Sequence, residues 1–402
     1  MARSLSMSES LPLRYPDAPV NGPNGLVPSM GWTTGVRALI FMIGVLSVWT
    51  AAGRISTDVA SGRPWLAWDG EHYLNILRWG YTPRREDYYF YLIAFFPLFP
   101  AMAKPLTLIM SPVAALVTVA NVCSLVGFGF FYSWLKTISS ARTAFIGTLL
   151  LATYPGAVFY SAGLTEGPFF MFVAVTLWLL QKDKFYAAAI ASALSTLTRP
   201  TGVALAMMVT MYAFVRAADA PMRKRLAFTA MIGLISISGA IGYQLFLWHR
   251  YKAFDAYFQA QLYWERADNE LQTQLQSAHV GPERYSVQFF LDRLHRPQGW
   301  NRIIAGLFVL VMLIGFWKPG KMPRTYLLLP LIIFLMTALP NHGLRLSSVV
   351  RYESGGLPVF AVLAMWLALT ERRKPLLMAV LGLQLAIQVY YAVLFSRGVW
   401  VG

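Results

Sequence analysis

The chain has 402 residues, of which 57% are hydrophobic and only 13% charged, with a positive mean hydropathy. That balance excludes an ordinary soluble domain and points to an all-α polytopic membrane protein. The net charge of +16, from 34 basic and 18 acidic residues, would suggest nucleic acid in a soluble protein. In a membrane chain it follows from the orientation bias of the loops, so no nucleic-acid partner is expected.

In chain order, residues 1–34 are rich in Ser, Pro, Gly and Asn and read as a disordered cytoplasmic tail with no signal-peptide pattern. Residues 35–402 read as a single transmembrane domain. Its first span is Gly35–Gly53. Further apolar runs follow at Val113–Leu135, Thr143–Tyr160, Glu166–Gln181, Phe185–Thr198, Thr201–Val215, Leu226–Trp248, Asn301–Trp317, Thr325–Leu339, Gly356–Thr370 and Pro375–Phe395. That predicts a bundle of about eleven spans, within a range of about ten to twelve, several of them shorter than the ~20 residues of a full crossing. The lone Cys123 sits in one of these runs, so an intrachain disulfide is excluded.

Loop charge sets the orientation. Lys136 and Arg142, Lys182 and Lys184, Arg216 with Arg223 to Arg225, Lys318 to Arg324, and Arg372 to Lys374 fall in alternate short loops, which the positive-inside rule places in the cytoplasm. The parity requires that Tyr91–Met110, interrupted by Pro97, Pro100 and Pro105, lie at the interface without crossing. Two long external loops result, at about 54–112 and 249–300, and most acidic residues fall on that outer side.

The chemistry concentrates in Trp65–Pro100, where Asp69, Glu71 and His72 stand among Trp68, Tyr81 and Phe96. Aromatic faces stack on the C–H surface of a sugar, while acids accept its hydroxyls or take a proton from one. Three further segments fall at outer helix ends. Glu166 opens a helix, where a carboxylate also suits the dipole. Arg199, between two apolar runs, needs either an anionic partner or a wet cavity. Arg351, followed by Tyr352, can hold a phosphate through its planar fork or serve as an interfacial anchor. No HExxH-type metal spacing, phosphate-cradling glycine loop or internal repeat occurs. No metal or other cofactor is therefore expected.

Trp68-Asp-Gly-Glu-His-Tyr73, then Gly80-Tyr81, then Ala94-Phe-Phe-Pro-Leu-Phe-Pro100 resembles the W-D-x-x-H-[FY], G-Y and A-F-F-P-x-x-P series of the PIG-V family of GPI mannosyltransferases. Pro155–Phe169, Thr198–Gly202 and Val350-Arg-Tyr352 resemble that family's later motifs in the same order. Departures are Thr201 where the family has Asn, a longer spacing between Tyr81 and Phe95, and shorter later loops, which leave the acceptor open.

The resemblance implies a GT-C glycosyltransferase, inverting, with a polyprenyl-phosphate sugar donor, typically mannose, and an active site in the first external loop. Asp69 would be the general base, with Glu71 and His72 orienting sugar or base. Glu166 would shape the acceptor side, and Arg199 and Arg351 would hold the donor phosphate. Trp68, Tyr81, Phe96 and Tyr352 complete the candidate substrate-binding set. The acceptor would be a glycolipid, glycan or protein, and the setting a bacterial plasma membrane, or the endoplasmic reticulum in a eukaryote. A polytopic lipid or solute transporter, or flippase, is the competing class. It would put ionisable groups near the midplane of two related halves.

Overall fold

The computed structural model describes residues 65–81, 92–262, 297–338, 348–368 and 371–401. The expected tail, the first expected span, and most of the second long loop lie outside them. Every regular element among the described residues is helical.

Among the described residues, four helices are long and apolar enough to cross a membrane: Pro112–Ile138, Met222–Tyr251, Trp300–Trp317 and Lys374–Ser396. Six shorter apolar helices accompany them, including Ala141–Thr153, Glu166–Gln181, Phe185–Thr196, Gly202–Arg216 and Leu357–Ala368. Sixteen residues, the length of Glu166–Gln181, give about 24 Å of helix, short of the ~30 Å hydrocarbon layer. Two expected spans are also interrupted. Thr143–Tyr160 is helical only to Thr153, because Pro155 lacks an amide donor; a 3-10 turn, Pro155–Tyr160, continues it. Thr325–Leu339 likewise opens as the 3-10 turn Arg324–Leu327 before the helix Leu328–Ala338.

Helix Pro112–Ile138 starts at a Ser-Pro signal. Ser111 Oγ accepts from the Ala114 amide at 3.2 Å, and Pro112 takes the first helical position, where no amide is needed. This helix is central: 61% of its most apolar window is buried, against 17% for the peripheral Lys374–Ser396. It packs along Glu166–Gln181, with Phe128 edge-on to Phe170 at 4.9 Å. Gly167 permits the close crossing, since a Cβ there would lie 2.3 Å from the Ala120 carbonyl oxygen.

The segment around the three prolines is broken as its sequence requires. Helix Leu98–Ala103 has six residues and passes into the 3-10 turn Lys104–Leu108, so neither piece is long enough to cross a bilayer. Lys104 Nζ donates to the Leu77 carbonyl at 3.1 Å, capping the last turn of Asp69–Trp79. The Leu98 amide donates to the Leu197 carbonyl at 3.1 Å, tying the segment to the end of Phe185–Thr196.

The bundle has two chemically distinct ends. At one, Arg216 pairs with Asp183 at 2.7 Å, Tyr326 donates to Gln181 at 3.2 Å, and Trp134 stands edge-on to Tyr326 at 5.8 Å. The basic residues Lys182, Arg216 and Arg324 belong to the element ends that meet there. At the other end lie Asp69, Glu166, Arg199 and Arg351.

Candidate active site

Helix Asp69–Trp79 begins abruptly. Trp68 has φ 58° and ψ −121°, a left-handed backbone that a bulky residue adopts only under constraint, and such strain concentrates at functional sites. The constraint is visible on either side. The Glu71 amide donates to the Trp68 carbonyl at 2.9 Å, and the Gly163 amide donates to the Trp65 carbonyl at 2.7 Å. The second bond joins this segment to the loop that leads into Glu166, and the strained turn places Asp69 in the first turn of its helix beside that loop.

Four side chains from four parts of the chain then form one ionic chain. Arg351 Nη1 donates to Asp69 Oδ2 at 2.5 Å, and Arg351 Nε donates to Glu166 Oε1. Glu166 Oε1 also accepts from Arg199 Nη1 at 2.8 Å. Arg351 is thus held between two carboxylates, and Glu166 between two guanidiniums. Glu166 Oε2 and Arg199 Nε are buried and make no hydrogen bond among the described residues. Such a cluster is poor value as a stabiliser, because desolvating charges offsets most of their attraction. Buried charge left incompletely satisfied is the signature of a site that binds something polar.

Aromatic rings wall the cations. The Arg199 guanidinium lies 4.6 Å from the Tyr352 ring centroid and 5.5 Å from Phe169, and Arg351 lies 5.5 Å from Trp400 and 5.8 Å from Phe159. Trp400 meets Trp68 edge-on at 5.5 Å. Asp69 is the member open to an incoming molecule, its side chain 32% exposed against 0% for Glu166. Burial pushes the Asp69 carboxyl up, but the charge and hydrogen bond of Arg351, with His72 and Arg199 adding, hold it below the ordinary carboxylate range. Burial pushes the His72 imidazole down, only partly offset by Asp69. His72 stacks on Phe95 at 4.6 Å.

Of the residues singled out in the sequence, Trp68, Asp69, Glu166, Arg199, Arg351 and Tyr352 come together, with His72 alongside. Glu71, two positions beyond Asp69, is turned about 200° around the helix and makes no ion pair among the described residues. Tyr81 and Phe96 make packing contacts. Tyr81 donates to the Phe95 carbonyl at 2.5 Å and its own carbonyl accepts from Tyr251 at 2.9 Å, while Phe96 lies 4.7 Å from Tyr243 and 5.6 Å from Tyr257. They fasten the first loop to helix Met222–Tyr251. Sequence reasoning missed Trp400, whose part depends wholly on tertiary contact. It also missed Phe159 and Phe169 individually, although both lie in a segment it marked. Among the described residues, no group of three or more His, Cys, Asp or Glu stands together to hold a metal.

Apolar membrane-length helices define a membrane protein, and the family comparison defines its chemical class as a glycosyltransferase. The model of the family described as mannosyltransferase (PIG-V) matches residues 57–340, and the chain belongs to that family. The match takes in Asp69, Glu166 and Arg199 and ends before Arg351. Membership favours an enzyme over the transporter class that span number alone left open. Comparison with curated proteins finds no match. Among solved structures, the oligosaccharyltransferase of Archaeoglobus fulgidus, in complex with zinc and sulfate, is similar at 14% identity with a TM-score of 0.47, over 91% of this chain and 53% of that one. The same archaeal enzyme with an inhibitory peptide and a dolichol-phosphate is similar at 15% identity with a TM-score of 0.46, over 92% and 56%. The chain spans about half the length of that enzyme.

Proposed function

We propose that this family member is an inverting mannosyltransferase that draws its sugar from a polyprenyl-phosphate donor on the external face of the membrane. The observation that carries the reading is the ionic chain itself: an accessible carboxylate, Asp69, is bonded to a guanidinium that a phosphate could claim. The donor is a phosphodiester with one negative charge. Its phosphate competes with Asp69 for Arg351, and Arg351 needs only to change partners to accept it. Asp69, released, takes the proton of the acceptor hydroxyl. That oxygen attacks the anomeric carbon from the side opposite the phosphate, the carbon–oxygen bond to phosphate breaks, and polyprenyl phosphate leaves with the electron pair. Its second negative charge develops beside Arg351 and Arg199, where fixed cations lower the barrier. A single displacement inverts the anomeric centre. Trp68 and Trp400 offer ring faces to a sugar.

In this reading residues 35–402 form one GT-C-like bundle of about eleven spans, the tail 1–34 is cytoplasmic, and the membrane is a bacterial plasma membrane. The acceptor is a glycolipid, glycan or protein carrying a hydroxyl.

The test is transfer by purified protein from radiolabelled polyprenyl-phosphate mannose to a panel of such acceptors, compared with the Arg351→Lys variant. Lys keeps the charge and loses the paired fork, so the donor KM should rise about tenfold with the acceptor KM unchanged. An unaltered donor KM in a folded variant would reduce Arg351 to an anchor. Transfer only from a nucleotide sugar would overturn the donor class.

Sidedness has its own test. A cysteine replacing Lys224 should be shielded from an impermeant reagent in intact cells, and one replacing Asn269 should react. Reaction of the residue-269 cysteine only after the membrane is opened would place the site on the cytoplasmic face.

A further inference from the structure

Glu353 has no part in the chemistry above, yet it shares the short helix Val349–Glu353 with Arg351 and Tyr352. It is 1% exposed. Two positions past Arg351, it projects about 200° around the helix, away from the ionic chain. Its Oε2 is 2.9 Å from the Tyr154 hydroxyl, and its Oε1 is buried with no hydrogen-bond partner among the described residues. Among the described residues, the polar groups around it are few. Tyr154 faces it from the turn before Pro155, with Tyr160 and Tyr391 beyond that ring. On its own helix Tyr352 stacks on Arg199, and Arg351 is engaged by Asp69 and Glu166. Phe308 and Pro330, which close over the adjacent Gly356, are apolar.

The same contacts hold the helix that carries Arg351. Tyr154 and Tyr160 bracket the 3-10 turn Pro155–Tyr160, and the Tyr160 hydroxyl donates to the Ser354 carbonyl at 2.7 Å. Ser354 Oγ in turn donates to the Arg351 carbonyl at 2.6 Å. Gly156 lets the turn lie flat against this helix, since a Cβ there would meet the Val350 carbonyl oxygen at 2.4 Å. Glu353 therefore anchors one side of a clamp whose other side presents a guanidinium to the site.

We propose that Glu353 is a positioning residue that works as a neutral carboxylic acid, its hydrogen bond with Tyr154 setting the helix that aims Arg351 at the donor phosphate. The inference rests on the assignment of Arg351 given above. Burial, opposed only in part by the Tyr154 hydrogen bond, pushes the Glu353 carboxyl up to about 8, so the acid is neutral at pH 7. Its raised value fixes the sign: the clamp is intact at lower pH and fails as pH rises through about 8. An ionised Glu353 would leave a charged, unpartnered Oε1 buried among apolar groups and draw water inward, opening the packing that seats the helix.

The experiment is the pH profile of kcat/KM for the lipid donor, measured between about pH 6 and 10 in the wild type, Glu353→Gln, Glu353→Ala and Tyr154→Phe. The wild type should lose about tenfold per pH unit above its alkaline limb. Glu353→Gln, neutral at every pH, should keep near wild-type transfer at pH 7 and lack that limb, whereas Glu353→Ala should be impaired throughout. Tyr154→Phe removes the clamp's hydrogen bond, so it should lower kcat/KM at pH 7, and because that bond also favours the ionised acid its alkaline limb should move to higher pH. A limb of the same position in wild type and Glu353→Gln, the absence of any limb in the wild type, or a Glu353→Gln as impaired as Glu353→Ala would overturn the proposal. If Glu353→Gln does not accumulate, an unmoved limb in Tyr154→Phe does so instead. These outcomes leave the donor assignment intact, because that stands or falls on the donor KM of Arg351→Lys.

Discussion

Asp69→Asn is expected to lower sugar transfer by about a hundredfold to ten-thousandfold, the usual worth of a positioned general base. The amide keeps the size of the side chain and can still accept from Arg351, so the lipid donor should bind with little change and the protein should accumulate normally. The loss should fall on kcat. Glu71→Gln is the internal comparison. Its side chain makes no ion pair among the described residues, and its change should cost far less. Near-normal transfer by Asp69→Asn with an inactive Glu71→Gln would reverse the two roles, and full activity in both would remove this loop from the chemistry. Residual activity in Arg351→Gln adds a pH signature. Burial raises the Asp69 carboxyl and Arg351 is the chief influence that lowers it, so loss of that cation should shift the acid limb of activity to higher pH.

Glu166→Ala should be the most destabilising single change at the site. The Glu166 side chain is wholly buried and shared by Arg199 and Arg351. Its removal leaves Arg199 without its carboxylate beside a second cation, and breaking one partner of a buried pair costs about 3–5 kcal/mol. Unfolding in detergent, followed by heat or denaturant, should show that loss. Glu166→Gln should lose less because it preserves a hydrogen-bond acceptor. A Glu166→Ala protein within about 0.5 kcal/mol of the wild type would mean that water or a lipid group already satisfies these arginines.

Much of the helical scaffold was legible because hydropathy is a local property. The expected run Glu166–Gln181 is the observed helix residue for residue, since an acid opens it and Lys182 follows it. Phe185–Thr198 ends two residues early, where Thr196 turns its hydroxyl to the Ala193 carbonyl and Pro200 approaches. Thr143–Tyr160 was too long because the apolar run conceals a backbone break at Pro155. The family's motifs mark Tyr81 and Phe96 as substrate contacts, and no local pattern reveals that they also meet Tyr243, Tyr251 and Tyr257, partners far along the chain.

Residue type and order alone determined that this is a helical membrane chain, where the basic loops lie, and which acids and arginines stand at the opposite helix ends. Arg199 remained open to a phosphate or a carboxylate, and Arg351 to a phosphate or the membrane interface. Only the tertiary structure decided that Arg351 bridges Asp69 and Glu166 while Arg199 shares Glu166. The partners are 282, 185 and 33 positions apart. Hydrophobic periodicity fixes a residue's place along and around its own helix, but which charges meet across the bundle depends on how the helices cross, and that is set by close contacts such as those at Gly167 and Gly156.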